Sequence, residues 1–289
     1  MKKVLLATVV LVGFVSSVKV QAAANAFNSF GKIVFSQDFS TFPNGPVANY
    51  ISATPNSTPN GQWNAITATS PKTVAISSGT MVFGSPNTTA STSSFSRTTD
   101  LAGPPTSLQY KFTINVSGID SANNHDSAAV LQIGSGFSTG NARETTGVYE
   151  TLNIDFRKTE WHLTDSHGST SPNQALGTTI AVTVVFNHTA DKFDYTAPNG
   201  TTEAVNPDTI DVWFGTTRVL DNDAVSGPGN SLTDLKFVFN AATPGTITFD
   251  NFELRTVPEP SNWMAGVGAC ALLVGSFRKR IFALLPRSK

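Results

Sequence analysis

Asp155 and Glu160 lie five residues apart in a stretch, Tyr149 to Thr164, whose apolar residues alternate. Period-two alternation places Asn153, Asp155 and Arg157 on one face of a strand, and Glu160 and His162 on one face of the next. Two carboxylates on adjacent strands, about 5–10 Å apart, are what a glycosidase uses: one protonates the leaving oxygen, the other attacks or activates water. Asp155 and Glu160 are therefore the candidate catalytic pair of a polysaccharide-cleaving enzyme, glycosidase or lyase. Other chemistry is sparse. His125, His162, His167 and His188 are scattered without zinc-ligand spacing, and neither a Gly-x-Ser-x-Gly elbow nor a phosphate loop occurs. Asp221-Asn222-Asp223 alternates acids but lacks the remaining residues of an EF-hand, and is read as a solvated loop. Sugar binding without cleavage needs a flat aromatic face. Trp161 shares parity with Leu163, and Trp213 lies in a mostly apolar run, so both are assigned to the core. Trp63, after Pro59-Asn60-Gly61-Gln62, is the candidate ligand-binding platform, although a loop anchor of this kind more often packs inward.

The elements that must position these residues are strands. In Ser107 to Val116, Leu108, Tyr110, Phe112, Ile114 and Val116 share one face, and Gln109, Lys111, Thr113 and Asn115 take the other. Similar runs occur at 32–39, 73–76, 80–83, 128–133, 149–156, 160–164, 180–187, 192–195, 209–214, 217–220, 235–240 and 246–254. Ser77-Ser78-Gly79 reads as a hairpin turn. Polar loops are expected at 41–60, 135–146 and 221–229. No helical periodicity of useful length and no composition break interrupts residues 25–256, so one all-β domain is expected, a two-sheet antiparallel sandwich.

The chain's net charge of −1 hides an acidic body. Its 19 basic and 20 acidic residues include eight basic residues in the two ends, and only Glu259 on the acidic side. That leaves 11 basic against 19 acidic groups in residues 25–256, a net charge of −8. Such a body repels phosphate backbones, which excludes nucleic acid as a partner, and is compatible with calcium or neutral polysaccharide. It contains no cysteine, since Cys270 lies in the C-terminal apolar run, so neither a disulfide nor thiol chemistry is available to it.

The order of segments resembles the concanavalin A-like, laminin-G-type jelly roll. The likeness rests on Phe35-Ser36-Gln37-Asp38-Phe39, Thr183 to Asn187, Lys192 to Tyr195 with Pro198-Asn199-Gly200, and the closing run Ile247 to Leu254. It implies a closing strand paired with the first, which brings the chain ends together. In the closing run Ile247 and Phe249 have one parity and Phe252 and Leu254 the other, so a bulge is expected at Asp250-Asn251. Carbohydrate-binding jelly rolls often hold a structural calcium between first and last strands. By that resemblance Asp38 and Asp250 are candidate ligands; the preferred alternative is that both satisfy backbone groups of a turn and a bulge. The laminarinase-type members of this fold carry Glu-x-Asp-x-x-Glu on one strand. Here Glu150 and Asp155 lie on opposite faces, which counts against hydrolysis.

The ends read as targeting segments. Residues 1–24 have the basic start, apolar run (Val4 to Val15) and small residues of a signal peptide, implying signal peptidase as a partner. Val257-Pro258-Glu259-Pro260-Ser261 is followed by an apolar run, Trp263 to Phe277, and by Arg278-Lys279-Arg280. This tail, 257–289, resembles the PEP-CTERM sorting signal. The resemblance implies exosortase as a processing partner, transient anchoring in a bacterial inner membrane with the basic cluster inside, and a final place outside the cell. The chain departs from that pattern in continuing through residues 281–289. Together these features lead to the expectation of an exported, exosortase-sorted surface or extracellular-matrix protein, non-enzymatic and either polysaccharide-binding or structural.

Overall fold

The computed structural model describes residues 31–257, apart from 41–43, 46, 48–50, 52–62, 87–90, 99–104 and 241. The chain divides into two units, Met1–Val257 and Pro258–Lys289. The expected signal peptide lies outside the described residues, as does the sorting tail from Pro258 onward. Among the described residues no helix is long and apolar enough to cross a membrane.

The body is an all-β, two-sheet antiparallel jelly-roll sandwich. Numbered in chain order, one sheet runs β15 (Thr217–Ala224), β14 (Thr209–Phe214), β11 (Thr179–Asn187), β6 (Ser107–Ser117), β17 (Gly245–Thr256), β4 (Thr80–Ser85) and β3 (Thr73–Ser77); β1 (Ile33–Gln37) also pairs with β17. The other runs β10 (Gln174–Ala175), β9 (Glu160–Thr164), β8 (Val148–Arg157), β7 (Asn124–Gly134), β16 (Asp234–Phe239), β5 (Ser93–Arg97) and β2 (Ala65–Ala68). A separate hairpin joins β12 (Phe193–Thr196) to β13 (Thr202–Val205).

Alternation decides which side chains enter the space between the sheets, and aromatic rings fill it. Phe83 of the first sheet meets Phe237 of the second at 4.9 Å between centroids, and Phe249 meets Phe95 at 5.7 Å. The rings meet edge to face, the arrangement their quadrupoles favour. Trp63, the candidate platform, is fully buried in this cluster, 4.3 Å from Phe95 and 5.2 Å from Phe252. It packs inward because the chain entering β2 brings it beside Phe35 and Phe95, where its large apolar area is worth more than an exposed position. It offers no platform to a ligand.

The closing strand behaves as its parity requires. β17 runs beside β6 with a register shift between Asp250 and Glu253, Asn251 adopts φ 54°, and both Phe249 and Phe252 reach the core. β1 lies antiparallel on β17, with Ile33 opposite Arg255, so residues 31 and 257 end up together. The β3–β4 hairpin turns at Ser78 and Gly79 with φ of 51° and 73°, the left-handed pair that a two-residue turn needs. One expected loop is not a loop: Asp221, Asn222 and Asp223 continue β15, where Asn222 donates its backbone N–H to Asp211 Oδ1 at 2.8 Å. A bulge with Asn222 at φ 54° lets an acidic run pair along a sheet edge.

Candidate ligand-binding cleft

With Leu131, Ile133, Leu152, Ile154, Leu235 and Phe237 facing the core, their neighbours form the outer face of the seven-stranded sheet. Lys236, Gln132 and Thr151 stand side by side across β16, β7 and β8; Val130 and Asn153 form the next rank, and Asp155 faces His162 across β8 and β9.

The segment 135–147 folds back over part of this face. Gln132 holds it with both ends of its amide: Oε1 accepts the Glu144 N–H at 2.8 Å, and Nε2 donates to the Glu144 carbonyl at 3.1 Å. Lys236, with no exposed side chain, donates to Glu144 Oε1 at 2.5 Å and to the Ser138 carbonyl at 3.2 Å. Ser138 adds its own N–H and hydroxyl to Glu144, at 3.0 and 2.7 Å. Burial alone would raise the Glu144 carboxyl, but the bonds from Lys236 and Ser138 outweigh it and hold it below the usual carboxylate range.

Beside this clamp the face stays open as a cleft of about 560 Å³. Its floor is Ser127, Gln132, Thr151 and Asn153, and Arg143, Glu144, Thr145 and Val148 form one wall. The other wall is Ser166 and Ser226. Both serines are fixed from beneath by Glu150, which accepts the Ser166 N–H at 3.0 Å, the Ser166 hydroxyl at 2.9 Å and the Ser226 N–H at 2.9 Å. Burial raises the Glu150 carboxyl above its ordinary value, against the pull of those bonds. Glu150 pairs in register with core-facing Ile133, so it and Asp155 do occupy opposite faces. The lining is thus mostly fixed hydroxyl and amide groups, which match the hydroxyls of a sugar.

The sequence places Asp155 and Glu160 on one face, and so does the structure, with Asp155 opposite His162 and Arg157 opposite Glu160. Asp155, however, is buried and fully engaged. It accepts the Ser127 N–H and the Thr164 hydroxyl at 2.5 Å each, and meets His162 Nε2 at 3.2 Å and Arg157 Nη2 at 3.6 Å. Glu160 accepts from the Asn173 amide, whose oxygen lies 2.9 Å from His162 Nδ1. The two carboxylates end a hydrogen-bonded chain through His162 and Asn173. Ser127 also donates its hydroxyl to Asn153 at 2.9 Å, joining this chain to the cleft floor.

Asp38 and Asp250 are brought together where β1 meets the β17 bulge. Asp38 accepts the Ser40 hydroxyl at 2.9 Å, and Asp250 the Asn251 N–H at 2.7 Å. Burial raises the Asp250 carboxyl, and the Asp38 charge adds to the rise while backbone bonds from Asn251 and Phe39 oppose it. Among the described residues no group of three or more His, Cys, Asp or Glu side chains is placed to hold a metal. Each carboxylate already accepts a bond within its turn or bulge, and six to eight oxygens for calcium would have to come largely from backbone. Trp161 joins the main core, whereas Trp213 is buried elsewhere. It shares the outer face of β14 with Asp211, under the β12–β13 hairpin, and donates Nε1 to the Tyr195 hydroxyl at 2.8 Å. Tyr195 in turn donates to Asp211 at 2.5 Å.

Neither a protein-family model nor a curated protein matches the sequence. Among solved structures, the chain is similar to the metal-free Emp46p carbohydrate recognition domain, with 11% identity, 68% of this chain and 91% of that one covered, and a TM-score of 0.45. It is also similar to a protein of unknown function with a galectin-like fold from Bacillus subtilis (10% identity, 80% and 99% covered, TM-score 0.42). A sialidase matches over 65% of this chain but only 16% of its own length, at 10% identity and a TM-score of 0.42. These likenesses concern the jelly-roll fold and assign no ligand to the cleft.

Sequence reasoning missed most of the cleft. The outward parity of Gln132 and Thr151 is readable from their apolar neighbours. Nothing in the sequence signals Arg143, Ser166 and Ser226, which are placed by the paths of three separate loops.

Proposed function

We propose that the chain is an exported, exosortase-sorted surface or extracellular-matrix protein that binds polysaccharide without cleaving it, in the cleft on the outer face of the seven-stranded sheet. The observation that carries this reading is the cleft's lining of fixed hydroxyl and amide groups, beside a carboxylate pair committed to structural hydrogen bonds. Binding exploits polar groups already oriented by the fold, so little order is lost on association. Hydrolysis would need one carboxylate free to take up or release a proton beside the sugar. Asp155 has four partners instead. A structural calcium shared by Asp38 and Asp250 belongs to the same reading, supported by the repulsion between two carboxylates that a cation would relieve.

Native electrophoresis of the full chain in mild detergent, through gels cast with different polysaccharides, tests the proposal. Retarded migration without a cleared zone is the expected result. A cleared zone abolished by Asp155→Asn with Glu160→Gln would make the protein an enzyme. Absence of retardation in every gel would leave a structural surface role. The export reading fails if the chain is found intact in the cytoplasm of the cells that make it.

A further inference from the structure

We infer that the cleft selects an acidic saccharide, one whose ring carries a carboxylate or sulfate, and that Arg143 is the residue that recognises the anion. The inference rests on the cleft being the polysaccharide site. Among the described residues there are five arginines, and four are engaged. Arg97 lies over the Phe35 ring, Arg157 pairs with Asp126 and Asp155, Arg218 with Glu203, Asp211 and Asp221, and Arg255 with Glu253. Arg143 alone makes no hydrogen bond or ion pair with any described residue, although acids outnumber bases in the body. It is exposed, and it stands in the cleft wall.

The charge of Arg143 is not cancelled locally. Glu144, the carboxylate beside it in the wall, is held by Lys236 at 2.5 Å and by the Ser138 N–H and hydroxyl, so its negative charge is already matched. The rest of the lining is uncharged. Stacking cannot supply selectivity from the tryptophans, because Trp63, Trp161 and Trp213 are all buried. What remains is a planar guanidinium whose fork fits two oxygens of one anionic group, above a floor of Thr151 and Asn153 that suits ring hydroxyls. In a body of net charge −8, an exposed and unpaired guanidinium in the cleft wall gives an acidic polymer a local attraction there.

The test uses the full chain and three polymers of similar length: a neutral glucan, a polyuronate and a sulfated polysaccharide. The wild type should be retarded by at least one acidic polymer more than by the neutral one, and retardation should weaken with added salt. Arg143→Gln should weaken acidic binding by roughly 10–100-fold, the range of one charge-assisted bidentate contact, and weaken neutral binding by a much smaller factor. Arg143→Lys, with charge but no fork, should fall between. The polyuronate and sulfated arms decide which anion is held. Thr145→Trp, which fills the cleft from its exposed wall, should abolish all retardation while circular dichroism stays that of the wild type. Equal retardation by neutral and acidic polymers, or an Arg143→Gln variant indistinguishable from wild type, overturns the inference and leaves polysaccharide binding standing. Retardation by none of the three overturns both.

Discussion

Replacing Glu144 by Gln isolates the contact that holds segment 135–147 over the sheet. The change keeps the shape and an acceptor oxygen but leaves Lys236, which has no exposed side chain, without a counter-charge. Removing one partner of a buried ion pair costs about 3–5 kcal/mol. Glu144 is 15% exposed and Lys236 keeps the Ser138 carbonyl and hydroxyl, so the expected loss is about 2–3 kcal/mol. For a domain of this size that lowers Tm by roughly 4–12 °C. The segment has a second route, which is to open and let water reach Lys236. The loss is therefore capped by the free energy of opening, and should also appear as faster hydrogen exchange at Glu144 and Ser138. Urea unfolding reads the global part and exchange the local part. The pH dependence adds an independent sign. The folded-state pKa of Glu144 lies below the unfolded value, so its contribution is complete above the unfolded value and is lost as pH falls through the folded one. Glu144→Gln should flatten that acid limb. A variant that unfolds within about 0.5 kcal/mol of wild type, with unchanged exchange in 135–147, would refute the claim that this ion pair holds the segment.

Other perturbations follow from the same contacts. Trp63→Ala should cost about 3–5 kcal/mol in urea unfolding, while the remaining folded protein keeps its polysaccharide affinity; selective loss of binding would restore Trp63 as a ligand platform. Burial raises the Asp211 carboxyl despite bonds from Tyr195 and Asn222 and the Arg218 charge, so the folded state holds that proton more tightly than the unfolded chain does. Stability should therefore fall as pH rises from the unfolded value to the folded one, and Asp211→Asn should remove that slope from a pH series of urea midpoints. If Asp38 and Asp250 share a calcium ion, calcium should raise Tm and chelator reverse it, with the response absent in Asp250→Asn. Thermal unfolding that ignores calcium would leave the pair to its turn and bulge.

What the sequence made legible was parity. The sandwich, the bulge at Asp250-Asn251 and the shared face of Asp155 and His162 all follow from a period of two, a local property of each strand. Strands β2, β5, β10 and β13 escaped because they are short or mostly polar: β5 reads Ser-Ser-Phe-Ser-Arg, with Phe95 its one apolar side chain. Ser94 and Ser96 are nevertheless buried, a fact set by what lies over them rather than by their own chemistry. Trp213 shows the same limit. Its burial was readable, but its location was not, because parity puts it outside the sandwich and only the path of the β12–β13 hairpin covers it. The DND run failed for the opposite reason: composition suggested a loop, yet a bulge and the Asp211 and Ala204 acceptors keep it in the sheet.

These misses share a cause that also bears on function. Each sheet has an outer face, and the chain covers part of each face with its own segments. The hairpin β12–β13 seals one with Trp213, Tyr195 and Asp211; segment 135–147 covers part of the other through Gln132, Lys236 and Glu144. Such covers are held by buried charges and amides whose partners lie far away in sequence, Lys236 and Glu144 being 92 residues apart. The cleft is what the second cover leaves open, and one of its walls is the cover itself. A ligand entering it meets Ser166, Ser226 and Asn153, which the fold has already oriented through hydrogen bonds. The exception is Arg143, which has no inner partner and faces only the cleft and the solvent. Removing its charge should therefore cost binding without costing stability. Loosening Glu144 should cost both, because the wall that carries Arg143 would move with it.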